Sequence, residues 1–67
     1  MNKTHNFYVE CIYEDGTEFH FEVKLEGRPS KVKAELMMIT RGTLMASSAS
    51  KAIAYNDQGF DECAYTR

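Results

Sequence analysis

Tryptophan is absent from the 67 residues, proline occurs once, and cysteine occurs twice. Two cysteines, Cys11 and Cys63, are too few to frame a disulfide miniprotein, and both are read as reduced thiols. One proline and four glycines leave no low-complexity linker. No apolar run approaches the ~18 residues of a membrane span. The opening stretch Met1–Asn6 has no apolar core after its charge, so no secretory signal is expected there, and a cytoplasmic setting follows. In that setting the sequon Asn2-Lys3-Thr4 is not a glycosylation site. Also missing are a glycine-rich phosphate loop, a nucleophile elbow and a paired CxxC. His5, His20, Cys11 and Cys63 have no zinc-like spacing. The expectation is therefore a non-enzymatic chain with no catalytic residues, no metal ligands and no cofactor.

What is present is globular: 43% hydrophobic residues with eight aromatics. A chain this short is one domain, residues 1–67, that buries about 60% of its extended surface. Such a domain is marginally stable and gains from a partner.

Residues 7–25 alternate with period two: Phe7, Val9, Cys11 and Tyr13 on one face of a first strand, Phe19, Phe21, Val23 and Leu25 on one face of a second. Between them lies Glu14-Asp15-Gly16. A two-residue Asp15-Gly16 loop would set the apolar rows on opposite faces. A three-residue loop with Gly16 left-handed pairs Tyr13 with Thr17, Cys11 with Phe19, Val9 with Phe21 and Phe7 with Val23, so it is preferred. After Glu26-Gly27-Arg28-Pro29, Ser30 is the expected cap of a helix over 30–46. Val32, Leu36, Ile39, Thr43 and Ala46 form its apolar stripe, flanked by Met37 and Leu44. Gly42 could instead end the helix and leave Thr43–Ser47 as a strand. Helix length favours passing through, since seventeen residues span about 25 Å and match strands of about 23 Å.

Lys51–Asn56 and Phe60–Thr66 read as a second hairpin around Asp57-Gln58-Gly59, pairing Asn56 with Phe60, Ile53 with Cys63 and Lys51 with Tyr65. The rival is a short helix capped by Ser48 and closed by Gly59. The preferred whole is α+β, in the order β-β-α-β-β: a four-stranded antiparallel sheet with one helix on one face. Its expected core is Phe7, Val9, Cys11, Phe19, Phe21, Val23, Leu36 and Ile39.

Charge is segregated along the chain. Residues 1–27 sum to −4, residues 28–51 to +4 and residues 52–67 to −2. Opposite signs solubilise a small body, and they also orient it toward charged partners. In the expected register the first hairpin's other face sets Tyr8 opposite Glu22, Glu10 opposite His20 and Ile12 opposite Glu18. Tyr8, Glu10, Ile12, His20 and Glu22 are thus the candidate partner-binding residues, for a basic protein surface or an antiparallel second copy (a homodimer). The carboxylates on this face disfavour phosphate. The alternative is a basic patch, Arg28, Lys31 and Lys33, at the helix start, where free amides favour a nucleic-acid phosphate.

The chain resembles the small accessory proteins of temperate, lambda-like phages. The likeness lies in its size, its acidic balance, its lack of a catalytic set, and the segments Arg41-Gly42-Thr43-Leu44-Met45-Ala46-Ser47 and Ala54-Tyr55-Asn56-Asp57-Gln58-Gly59-Phe60. The resemblance implies a regulatory protein that binds a host or phage macromolecule in the host cytoplasm.

Overall fold

The computed structural model describes residues 3–67. Met1 and Asn2, the start of the segment judged against a secretory signal and the Asn of the sequon, lie outside the described residues. Strands β1 (Thr4–Ile12) and β2 (Glu18–Glu26) precede helix α1 (Pro29–Ala46), and β3 (Lys51–Asn56) and β4 (Asp61–Thr66) follow it. The sheet order is β2-β1-β3-β4, every neighbour antiparallel. The fold is α+β, with the helix crossing one face and delivering β3 against β1.

The first hairpin has the expected three-residue loop. Tyr13 N–H donates to Thr17 O at 2.9 Å, and Gly16 takes φ +89°. Asp15 holds the turn by accepting from Thr17 N–H and Oγ1 at 3.0 and 2.7 Å. Those bonds lower the Asp15 carboxyl pKa, the Thr17 hydroxyl being the larger cause. The second hairpin uses the same chemistry. Gly59 has φ +87°, and Asn56 Oδ1 accepts from Gln58 and Phe60 amides at 2.9 and 3.0 Å.

Beyond that loop the register departs from expectation. Asn56 does bond to Phe60 and Tyr55 faces Asp61, but Ala54 faces Cys63, Ile53 faces Ala64, Ala52 faces Tyr65 and Lys51 faces Thr66. Glu62 is the extra residue of a bulge. The expected pairs Ile53–Cys63 and Lys51–Tyr65 are each one residue off. Burial is the reason. Without the bulge Glu62 and Ala64 would face the helix, whereas with it Cys63 and Tyr65 pack on the core.

The helix starts at Pro29, whose missing N–H suits the first helical position. Arg28 is the N-cap, with no side-chain cap bond, so Ser30 sits inside the first turn and does not cap. The helix runs through Gly42. Its buried stripe is Val32, Leu36, Thr40 and Leu44, rotated from the expected one, and Ala46 and Met37 are exposed. Thr40 can be buried because its hydroxyl donates to the Leu36 carbonyl at 2.7 Å.

Two apolar clusters fill the space between helix and sheet. Phe7, Val9, Val32, Leu36 and Ala54 form one, with Phe21, Val23, Leu25, Ile39 and Cys63 partly covered against it. Cys11, Leu44, Ala49 and Ala52 form the other, beside Tyr13 and Tyr65. Desolvation raises the pKa of the buried Cys11 thiol. Small residues on β3 let the helix lie close to it. Phe19 is the correction to the expected core: it is 58% exposed, resting its ring 6.1 Å from that of Phe21 at the edge of the sheet.

Candidate functional site

Among the described residues, the face of the sheet turned away from α1 carries no second layer. Tyr8, Glu10 and Ile12 of β1 lie on it beside Glu22, His20 and Glu18 of β2, in the expected register, so the five candidate residues share one surface. β3 completes it from the other side, with Tyr55 opposite Tyr8, Ile53 opposite Glu10 and Lys51 opposite Ile12. Asp61 and Ala64 of β4 continue those rows.

Two features shape this surface. Tyr55 donates its hydroxyl to Glu10 Oε1 at 3.0 Å. Tyr55 is opposite Tyr8 and Glu10 is opposite Ile53, so the bond runs along a cross-strand diagonal past Ile53. Ile53 is only 7% exposed although no helix covers it. The result is a small apolar floor of Ile53 and Ile12, with Tyr8 standing 40% exposed and carboxylates at Glu10, Glu18, Glu22 and Asp61. Tyr55, Ile53 and Lys51 were not among the sequence candidates. Their place on this face depends on β3 pairing with β1, a contact between residues 39 to 47 positions apart.

The Tyr55 phenol has its pKa raised, first by burial, then by the Glu10 hydrogen bond and by the charges of Glu10, Asp61 and Glu18. Its ordinary value is 10.0. Above that pH the unfolded chain releases the phenol proton while the folded chain keeps it. The folded state then binds more protons, and stability falls as pH rises through this range. The phenolate absorbance of wild type minus Tyr55→Phe should therefore titrate above 10.0, and Glu10→Gln should move it back down. An unmoved midpoint in Glu10→Gln would contradict the hydrogen bond.

The alternative basic patch is largely compensated within the chain. Lys31 Nζ lies 3.8 Å from Glu35 and Lys33 Nζ 3.3 Å from Glu62 Oε1, and Lys33 also donates to the Glu62 carbonyl. Arg28 stands at the N-cap with its residue exposed. The bulge at Glu62 thus has a second consequence, placing a carboxylate against one of the three cations. Under the helix start lies a cleft of about 410 Å³, lined by His5, Asn6, Val32, Lys33, Asn56 and Glu62 among others.

Among the described residues no three His, Cys, Asp or Glu side chains gather in a metal-binding group. Nor, among them, is any helix long and apolar enough to cross a membrane. Compared with known proteins, the chain matches no family model, no curated protein and no solved structure.

Proposed function

We propose that the chain is a non-enzymatic binding module that docks a basic protein surface on the helix-free face of its sheet. The observation that carries this reading is the half-exposed Tyr8 sharing one face with Ile12 and Ile53 and with the carboxylates of Glu10, Glu18, Glu22 and Asp61, which outnumber Lys24 and Lys51 there. An aromatic anchor in a desolvated centre with a charged rim is the arrangement that concentrates binding energy and selects a partner of opposite charge. The likeness to phage accessory proteins supports the same class of role, with a host or phage macromolecule as the partner. A nucleic-acid reading through Arg28, Lys31 and Lys33 is the weaker one, because Glu35 and Glu62 already face two of those cations.

The two readings separate by mutation. Tagged wild type, Tyr8→Ala and Lys31→Glu/Lys33→Glu are compared for what they retain from a bacterial lysate, with retained proteins and nucleic acids quantified at two salt concentrations. Tyr8→Ala should weaken retention of a basic protein about tenfold, or about 1.4 kcal/mol, with an unchanged far-UV circular dichroism spectrum. The lysine reversals should leave it intact. Loss in the lysine variant alone, together with a steep salt slope, would move the function to the basic helix start.

A further inference from the structure

Among the described residues the sheet has two free edges, β2 and β4, and they are built differently. β4 is six residues long and interrupted by its bulge, which blunts it as a template for another strand. β2 is nine residues long, with no proline and no bulge against β1. Hydrogen bonds place its polar groups. Tyr13 N–H donates to Thr17 O, and Gly27 N–H donates to Lys3 O. Odd-numbered residues of β2 therefore bond to β1, and Glu18, His20, Glu22, Lys24 and Glu26 aim their backbone N–H and C=O outward. On the helix side the same edge exposes Phe19 and leaves Phe21, Val23 and Leu25 only partly covered.

We infer that β2 pairs antiparallel with β2 of a second copy of this chain, with Phe21 opposite its own counterpart, to form one eight-stranded sheet.

Charge and the cover of Phe19 together select this register. A two-fold axis at residue 22 would set Glu22 against Glu22, Glu18 against Glu26 and His20 against Lys24. The carboxylate contacts in that register join like charges. An axis at residue 23 matches Glu22 with Lys24 but sets Phe19 against Gly27, leaving the ring uncovered. An axis at residue 21 sets Glu18 against Lys24 and His20 against Glu22, twice each, on the helix-free side. On the helix side it sets Phe19 against Val23 and Phe21 against Phe21. Opposite charges directly across a strand pair are favourable and like charges are not. Of these three registers, this one both matches the charges and covers the exposed ring. It also keeps odd residues opposite odd ones, so each chain's apolar row stays on the helix side.

Sedimentation equilibrium of the full chain tests this independently of the partner reading, because it reads self-association alone. Glu18 and Lys24 are both exposed, so reversing them leaves the monomer fold in place, which circular dichroism verifies. Wild type should be a dimer. Glu18→Lys and Lys24→Glu should each raise the dissociation constant about tenfold or more, since each turns two attractive pairs into two repulsive ones. The double variant Glu18→Lys/Lys24→Glu should return to the wild-type value, because the pairs are re-formed with the signs exchanged. An axis at residue 23 predicts the opposite for the double variant, where the carboxylate introduced by Lys24→Glu would face Glu22. A wild-type chain that stays monomeric up to millimolar concentration overturns the proposal. So does a dimer unmoved by both single reversals, or a double variant that fails to recover.

Discussion

Leu36→Ala should remove about half of this protein's stability at 25 °C. Leu36 is fully buried at the centre of the helix face, among Phe7, Val9, Val32 and Ala54. Removing a wholly buried leucine side chain costs about 2–5 kcal/mol, from lost transfer energy and the cavity left behind. A domain of this length has roughly 3–10 kcal/mol in total, at about 0.05–0.15 kcal/mol per residue. The loss is therefore a large fraction of the whole. Phe19→Ala removes a larger side chain and should cost under about 1 kcal/mol, because most of that ring already faces water. Urea midpoints of the two variants, read by circular dichroism at a protein concentration where sedimentation shows monomer, should differ in this direction. A Leu36→Ala protein that melts like wild type would show that the helix does not seat on the sheet through this residue.

The contrast between these two residues marks how far local pattern reaches. Alternation in 7–25, with a glycine placed to end a three-residue loop, was enough for the complete register of the first hairpin. Alternation says which face a side chain takes. It does not say how far the helix extends over that face, so Phe19 and Val9 look alike in the pattern and differ in burial. Thr40 falls outside the expected stripe because that stripe is phased on Ile39, Thr43 and Ala46; in the interior its hydroxyl donates to the Leu36 carbonyl and accepts from Cys63 Sγ at 3.7 Å. The bulge at Glu62 has no local mark either. It follows from the need to turn Cys63 and Tyr65 toward the helix, which is a property of the assembled sheet.

The same limit applies to the candidate site. Tyr8, Glu10, Ile12, His20 and Glu22 lie within one hairpin, and local alternation brings them to one face. Tyr55, Ile53 and Lys51 join them only because the chain passes over the sheet and returns beside β1. That return also converts Glu10 from a solvated strand carboxylate into the acceptor for the Tyr55 hydroxyl. The surface is thus a product of strand order, and its polarity is organised at the seam between the two hairpins.

Arg67→Ala should be the most damaging change among the exposed charged residues. α1 ends at Ala46 with Ser47 as its C-cap in extended conformation, no glycine follows it, and its last turn has no basic residue. Ser47 serves two of its final carbonyls, its N–H donating to Thr43 O and its hydroxyl to Leu44 O at 3.3 Å, and further donors must come from elsewhere. Arg67 supplies them from the far end of the chain. Its Nε donates to the Ala49 carbonyl at 3.0 Å, its Nη2 donates to the carbonyls of Leu44 and Ser47, and its backbone N–H donates to Ser50 O at 2.9 Å. A guanidinium at a helix C-terminus is also attracted by the helix dipole. Hydrogen bonds to a charged group contribute about 1.5–3 kcal/mol, and water can replace part of that at this exposed end, so a loss of about 1–3 kcal/mol is expected. Lysine should not restore it, because one ammonium cannot reach the three carbonyls that the planar fork spans. Amide hydrogen exchange provides the local readout. Loss of Arg67 should speed exchange at the end of α1 and along β4 more than at the centre of β1. Equal acceleration throughout would mean that the clamp acts only on global stability, and no acceleration would mean that water serves these carbonyls as well as the arginine does.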